Sequence, residues 1–345
     1  EYLLYHFAMQ MLPVNEYLKN HMQTKPTERF FSLKHNFALK ISLFCGMSCI
    51  VGLFFCSKVL AQPDTKDKVY KGLVLDEVMV KEVKKGFDVQ SFIDKIKKDT
   101  TFYKAFKSLR LLSYNMYNDI QIEDKKGNVK ASLNSITRQE RKNNCRTMLV
   151  KSEQVKGDFY TKKHDYNYYT AKLYAHLFFT KGTICNENNI VGHKVYSGSQ
   201  KYEEQLRILI FNPGQRIRGI PGIGDNVAIF EAPTVEKYAF KLSKRDYNGE
   251  PCYLFTAVPK KGQEKNVVIN ELTTWFRLSD YAIVARNYSL SFRTLFYDFD
   301  VVMKVKLKKV STYLVPYEVN YSGNWHAVTK PREIVKFVAI FTDFE

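Results

Sequence analysis

Few of the side chains that commonly do chemistry stand close together in this sequence. After the expected leader, the chain has four histidines, His164, His176, His193 and His326. They form neither an HExxH motif nor a tight His/Cys set, so their spacing predicts no metal site. The glycine-rich run at 219–224 has no following Lys-Ser/Thr and no strand–helix context. We interpret it as a turn and not as a nucleotide-binding loop.

Paired carboxylates give a weak signal for catalysis. Asp298 and Asp300 lie two positions apart on an expected strand, so both side chains face the same way. Such a pair binds a cation or contributes to acid–base chemistry, but we favour a solvent-facing strand end. No GxSxG motif is present, and no order of Ser, His and Asp indicates an activated nucleophile. We therefore predict no catalytic residues, no cofactor and no enzymatic activity; a hydrolase has no motif in its favour.

One alternating strand suggests apolar binding instead. From Phe299 onward, apolar side chains face one way and charged side chains such as Lys304 and Lys306 face the other. The two tryptophans stand at expected strand ends or turns, where they either pack ordinarily or edge an apolar cleft. The candidate cleft residues are Trp275, Phe299, Val301, Met303, Val305, Leu307 and Trp325.

The last hundred residues predict the sheet that would position this cleft. Their strand-like segments are Cys252–Val258, Val267–Phe276, Ala282–Leu295, Phe299–Val310, Tyr313–Tyr321 and Ile334–Phe341. Polar or turn-forming residues separate these segments, and no helical pattern intervenes. The connections are therefore expected to be hairpins, which make the sheet antiparallel.

Earlier in the chain the apolar period changes several times. Asp88 is a typical N-cap for a helix with apolar residues at helical spacing, and Thr100 or Thr101 begins a second helix. Asn167–Phe179 fits either a helix or a strand, and we favour the helix. Two further segments are expected to be strands, namely Val69–Val83 and Leu206–Phe211.

The first sixty-one residues have the layout of an upstream segment and a secretory leader. Lys34, His35 and Lys40 precede an apolar core at Ile41–Phe55, and Val59-Leu60-Ala61 suits leader-peptidase cleavage before Gln62. The apolar core is shorter than the roughly twenty residues that span a bilayer. An uncleaved membrane anchor is the alternative. We expect residues 62–345 to form a single exported domain, periplasmic or associated with the outer membrane.

Charge and cysteine content fit an exported protein. The chain carries a formal net charge of +18, with a local concentration of lysines at 304–309. This charge favours an anionic partner, and export indicates lipid head groups or surface glycans more than nucleic acid. A solvated lysine-rich surface is the alternative. Cys145, Cys185 and Cys252 follow the leader. Their odd number excludes a full disulfide framework, and Cys145 with Cys185 is the pair that we favour.

The order of C-terminal segments resembles a known family. The matching segments are Tyr253–Lys260, Leu272–Phe276, Ile283–Tyr288, the strand at Phe299, and Leu314–Pro316. They are similar to the LolA-like group of periplasmic lipoprotein carriers, especially versions in Bacteroidetes envelope proteins. Arg277 departs from the pattern, because the family usually has an acidic residue after this tryptophan-bearing strand. The resemblance covers roughly residues 205–345.

The resemblance implies an α+β fold: a large curved antiparallel sheet, or incomplete β-barrel, with helices covering its concave side. It also implies a non-enzymatic protein that binds lipid or lipoprotein acyl chains in an apolar cleft. An anionic membrane surface would be a second partner, through the basic outer face. The alternative function is a structural or interaction module of the cell envelope, with a solid core and no ligand cavity.

Overall fold

The computed structural model describes residues 68–187, 209–217, 223–293, 297–327 and 330–345. Residues from Lys68 to Glu345 group into one unit. The expected leader, His193 and most of the glycine-rich run at 219–224 lie outside the described residues. Cleavage before Gln62 and the single domain at 62–345 therefore stay predictions.

The described residues contain one sheet of twelve strands in the order β1-β6-β7-β8-β9-β10-β11-β12-β2-β3-β4-β5. The strands are β1 Leu73–Leu75, β2 Tyr114–Glu123, β3 Val129–Lys142, β4 Cys145–Lys156, β5 Ile184–Cys185, β6 Tyr238–Tyr247, β7 Glu250–Pro259, β8 Ile269–Arg277, β9 Ile283–Arg293, β10 Tyr297–Val310, β11 Tyr313–Ala327 and β12 Lys330–Thr342. β1 and β5 are the two ends of the sheet and do not pair with each other. The prediction of an incomplete barrel is confirmed.

Adjacent strands of this sheet are antiparallel, except that β1 runs parallel to β6. Strands β7 to β12 follow one another in the sheet as antiparallel neighbours, as the absence of helical patterns between them predicts. On β2, the side chains of alternate residues from Tyr114 to Ile122 are buried. This two-residue period is that of a strand with one face in the core.

Five α-helices with fully described bounds flank the sheet. They are α1 Lys68–Lys71, α2 Glu77–Lys84, α3 Val89–Lys98, α4 Thr101–Ser108 and α5 Tyr169–Phe178. Asp88 caps α3 as predicted, because its side chain accepts a hydrogen bond from the Ser91 N–H at 3.0 Å. The helical interpretation of Asn167–Phe179 is also confirmed, by α5.

The helices pack against one face of the sheet, which we call the inner face. Aromatic contacts mark this packing, with ring centroids 5.3 Å apart for Phe92 and Phe276, 6.2 Å for Phe102 and Tyr288, and 4.6 Å for Tyr174 and Phe337. These pairs join α3, α4 and α5 to β8, β9 and β12. The core therefore lies between the helices and the sheet, which confirms the predicted α+β arrangement.

Two of the predicted strands are wrong. In Val69–Val83 only Leu73–Leu75 is a strand, because the Asp76 side chain accepts a hydrogen bond from the Met79 N–H at 2.9 Å and begins α2. In Leu206–Phe211 the described residues 209–211 are helical, although all three side chains are buried as expected. A short apolar run does not distinguish a buried strand from a buried helical turn.

A candidate binding groove beside helix α5

Most of the predicted cleft residues lie together on the inner face. Phe299, Val301, Met303, Val305 and Leu307 are each no more than 4% exposed, so they form a packed wall. The Trp325 ring joins this wall, since its centroid lies 4.9 Å from that of Phe299. Its indole N–H donates to the Tyr321 hydroxyl at 2.5 Å. The structure therefore brings six of the seven residues together, in a packed rather than an open arrangement.

Trp275 is separated from the other six cleft residues. It lies opposite Leu254 of β7, whose neighbours Tyr253 and Phe255 are buried on the inner face. Its ring packs instead on Tyr247, with centroids 5.0 Å apart. Because successive side chains of a strand alternate between faces, Trp275 belongs to the outer face.

A large open cavity lies at the other end of the sheet, between the inner face of β3–β4 and α5. It has a volume of about 1060 Å³, and we call it the α5 groove. Ser135 and Thr137 of β3 lie on its floor. Its apolar lining comes from β4, α5 and the segment after α5, and consists of Met148, Val150, Ala175, Phe179 and Ile184. The groove therefore combines an apolar strip with a polar floor.

Helix α5 forms one wall of the groove and is held at both its start and its middle. The Glu333 carboxylate of β12 accepts hydrogen bonds from the N–H groups of Tyr169 and Thr170, at 2.8 and 2.9 Å. These donors have no partner inside the helix. Farther along, the Tyr174 hydroxyl donates to the buried side-chain oxygen of Asn118. Burial holds the pKa of Tyr174 well above its usual value, so the phenol stays protonated.

The loop between β4 and α5 forms the outer lip of the groove. The Tyr160 ring stacks on His164, with centroids 4.3 Å apart, and its hydroxyl donates to Glu153 at 3.2 Å. Tyr166 also packs against Tyr160, with ring centroids 5.3 Å apart. Burial raises the pKa of Tyr166 to about 12, so both rings present neutral phenols to the groove at physiological pH. The lip is thus aromatic, with the Glu153 carboxylate beside the two phenols.

Two arginines lie at the end of the groove nearest the disulfide. Arg146 donates through Nε to Glu187 at 2.6 Å, and its side chain is only 8% exposed. Its guanidinium also donates to the Thr180 hydroxyl, which in turn donates to Gln139 at 2.9 Å. Arg110 approaches the other oxygen of Glu187 at 3.5 Å. This end of the groove therefore carries a positive, hydrogen-bonded floor.

The predicted disulfide lies beside these arginines. Cys145 and Cys185 are bonded to each other and face each other across the β4–β5 pair. The third cysteine, Cys252, is free and buried in β7, and burial raises its thiol pKa to about 11. A thiol with a raised pKa is a weak nucleophile. The preferred pairing of Cys145 with Cys185 is confirmed.

The paired carboxylates have structural partners on neighbouring strands. Arg332 of β12 donates to both oxygens of Asp298, at 2.8 and 2.9 Å, and His326 of β11 lies 3.2 Å away. The hydrogen bond from Arg332 is the main reason why the pKa of Asp298 lies below its usual value. Asp298 thus ties together three strands, whereas Asp300 is exposed.

Within the described ranges, no cluster of three or more His, Cys, Asp or Glu side chains is arranged to hold a metal ion. The same residues include no helix that is long and apolar enough to cross a membrane.

Comparison with known proteins finds similarity in structure only. No family model and no curated protein matches the sequence. Three solved structures are similar to this chain. An outer-membrane lipoprotein-sorting protein domain from Vibrio parahaemolyticus has 7% identity and a TM-score of 0.22, over 70% of this chain and 91% of that one. The likeness is one of fold alone.

The other two structures have similar values. A DUF1329 family protein from Desulfovibrio piger has 9% identity and a TM-score of 0.22, and a LolA superfamily protein from Nitrosomonas europaea has 9% identity and a TM-score of 0.20. Each alignment covers 71% of this chain and 91% of the other.

Sequence reasoning missed the α5 groove. Its signals were present as a density of tyrosines at 160–169 and as apolar residues on β4, a strand that is otherwise polar. The groove joins β4 to α5, and no local pattern indicates that these elements face each other.

Proposed function

We propose that this protein is a non-enzymatic binding protein of the cell envelope that holds a lipid or lipoprotein acyl chain in the α5 groove. The observation that carries the proposal is the apolar strip inside an open cavity of about 1060 Å³. Small-molecule sites are typically concave, largely apolar and a few hundred to about 1,000 Å³ in volume.

The exposed apolar side chains of this strip favour the binding of an alkyl chain over that of a polar ligand. Val150 is 53% exposed on the floor of the groove, and Phe179 is partly exposed on its wall. Burying each methylene of a ligand against such surface stabilises the complex by about 0.8 kcal/mol. A chain of about eight buried methylenes would thus contribute about 6 kcal/mol toward binding, before association costs are subtracted.

The expected leader supports the location that we propose, in the cell envelope. The expected leader would bring the protein to the periplasm or the outer membrane, and an uncleaved leader would anchor it to the inner membrane. Lys304 and Lys308 are exposed on the outer face of β10, and Lys306 pairs with Glu318 at 2.7 Å. Such lysines favour contact with anionic head groups. Sequencing the N-terminus of the exported protein tests whether the leader is cleaved, and Gln62 is the expected first residue.

A structural or interaction module of the envelope is the second candidate function. The packed wall at Phe299–Leu307 favours it, because these side chains have little surface left for a ligand. Under this alternative, the α5 groove would hold only water, and the protein would retain no lipid during purification.

The two functions are separated by lipid binding and by one pair of substitutions. Native mass spectrometry after gentle purification is expected to show co-purified lipid, and a fluorescent fatty acid is expected to bind. Val150→Lys places a charge in the apolar strip and should weaken binding at least about tenfold, since burying a charge is costly. Leu149→Lys is the matched control, because Leu149 is 64% exposed and does not line the groove.

Lipid retention by wild type together with selective loss in Val150→Lys supports acyl binding in the groove. If no lipid co-purifies and wild type takes up no fatty acid, the carrier function is wrong. Equal binding by both lysine variants would place the lipid elsewhere.

A further inference from the structure

The arginine end of the α5 groove has the form of an occupied anion site. Glu187 presents one carboxylate oxygen to Arg146 at 2.6 Å and the other toward Arg110 at 3.5 Å. Two guanidinium groups thus converge on a single carboxylate. This is the arrangement with which proteins recognise carboxylates and phosphates, because guanidinium donors match those oxygens in geometry and charge.

Burial makes this site dependent on an anion. The Arg146 side chain is 8% exposed, and Glu187 is 24% exposed. A guanidinium removed from water to this extent needs a negative partner, since an uncompensated buried charge is strongly destabilising. Thr180 gives Arg146 a neutral partner but no compensating charge. Any molecule that displaces Glu187 must therefore bring an anionic group of its own.

Glu187 is held close to the arginines by the disulfide. Cys185 stands two residues before it in the sequence, and Cys145 directly precedes Arg146. The pairing of Ile184 with Arg146 completes this short covalent and backbone link. A tethered group acts at high effective concentration yet can be replaced by a ligand that gains further contacts.

The groove offers a ligand further apolar contacts, which extend along β4 away from Arg146. Arg146, Met148 and Val150 are alternate residues of β4, so their side chains lie on the same face. All three line the groove, and about 13 Å of strand separates the first from the last. A molecule with its anionic head at Arg146 would therefore lay its tail along the apolar strip.

We propose that Arg110 and Arg146 form a head-group subsite for an anionic amphiphile, and that Glu187 fills this subsite until the ligand displaces it. The proposal rests on the proposed function of the groove and names its ligand class. That class is a single alkyl chain bearing a carboxylate or a phosphate. Lys172 and Lys181 also line the groove, whereas the acidic residues Glu153 and Asp165 lie toward the tyrosine lip.

The test compares three probes of equal chain length: dodecanoate, dodecyl phosphate and uncharged dodecanol. Each probe competes with a fluorescent fatty acid that is already bound to the full-length protein. In wild type, both anions are expected to bind more tightly than dodecanol. Glu187→Gln should tighten anion binding by about fivefold, because the competing charge is gone, and should leave dodecanol unchanged. A preference between the two anions distinguishes a fatty acid from a phospholipid-type head group.

Loss of an arginine should act in the opposite direction. Arg110→Gln is expected to weaken both anions by about tenfold with little change for dodecanol. Arg110 is the arginine to replace, because its side chain is 32% exposed and tolerates substitution better than Arg146. The matched controls are Glu236→Gln and Arg245→Gln, which alter exposed ion pairs away from the groove and should change nothing.

The outcomes separate this proposal from the function on which it rests. If all three probes bind equally and neither groove variant alters them, the head-group subsite is wrong while acyl binding stands. If no probe binds wild type or Glu187→Gln, both proposals are overturned. Circular dichroism of each variant verifies that the fold is retained.

Discussion

Glu333 accepts two hydrogen bonds from Thr170, one from its backbone N–H and one from its hydroxyl, each 2.9 Å long. The residues stand 163 positions apart in the chain. One carboxylate on β12 thereby caps the start of α5 and sets one wall of the groove. A helix capped from a distant strand is stable only when both elements are in place.

This relationship predicts the effect of Glu333→Gln. The variant keeps one acceptor oxygen but loses the charge that favours a helix N-terminus, so the free energy of unfolding should fall by about 1–2 kcal/mol. Urea denaturation measures the change. Glu236→Gln is the control, since this exposed residue pairs with exposed Lys68 and its loss should cost less than about 1 kcal/mol. An equal loss in both variants would contradict the capping role.

The disulfide between Cys145 and Cys185 predicts a strong redox dependence of stability. It closes a loop with a sequence separation of 40. Restricting such a loop in the unfolded chain stabilises the fold by up to about 4 kcal/mol. A reducing agent should therefore lower the melting temperature of wild type and leave that of Cys145→Ser/Cys185→Ser unchanged. Cys252→Ala should respond to the reducing agent like wild type, because its thiol forms no disulfide.

Gly157 and Gly182 form a matched pair for testing the lip of the groove. Their φ angles are +67° and +66°, so alanine is strained at both positions. At Gly157 a Cβ would also lie 2.0 Å from the Lys130 carbonyl oxygen, whereas at Gly182 it meets nothing within 4 Å. Gly182→Ala should cost about 1 kcal/mol, and Gly157→Ala at least about 2 kcal/mol with a displaced lip. Similar costs in chemical denaturation would contradict the role of this close approach.

The lowered pKa of Asp298 predicts that the protein becomes less stable at acidic pH. Its pKa in the folded state lies below the unfolded value, mainly because of the hydrogen bonds from Arg332. Its contribution is therefore present above the usual carboxyl pKa of about 4 and is lost as pH falls through the lower folded value. Asp298→Asn should lower the free energy of unfolding by only about 1 kcal/mol at neutral pH, because the site is partly exposed. The loss should be smaller at pH 3, where part of the wild-type carboxylate is protonated.

The control for this pH dependence is Asp300→Asn on the same strand. Asp300 is exposed, so its substitution should leave the free energy of unfolding unchanged across the same pH range. Denaturation at neutral and acidic pH measures both variants. A loss for Asp298→Asn that is as large at pH 3 as at pH 7 would show that packing, not charge, explains it.

Local chemistry accounts for the parts of the fold that could be predicted. The alternation at Phe299–Leu307 places side chains on a buried face, because a strand repeats every two residues. Asp88 caps α3 through a backbone N–H only three residues away. The strand predicted at Val69–Val83 is wrong for a reason that is equally local: the valines favour a strand, but the Asp76 side chain caps α2 through the Met79 N–H, three residues away.

The candidate site was not predicted, because none of the seven proposed cleft residues lines the α5 groove. Six of the seven proposed cleft residues share the inner face, but Trp275 does not. β8 carries register irregularities at both ends, including one between Trp275 and Phe276. A one-residue shift moves a side chain to the opposite face, so the orientation of Trp275 depends on pairing with β7 and β9 rather than on its own strand.

The sequence by itself indicated an antiparallel sheet with an alternating core, because these features follow from residue types a few positions apart. The open half-barrel followed from the family resemblance, the segment at α5 fitted either a helix or a strand, and the count of cysteines allowed one disulfide without choosing its pair. Only the tertiary structure decided that α5 faces β4, that Glu333 caps it, and that Arg110 and Arg146 meet at Glu187. Those contacts join residues distant in the chain, and their free energy exists only when strands β12, β2, β3 and β4 have already paired.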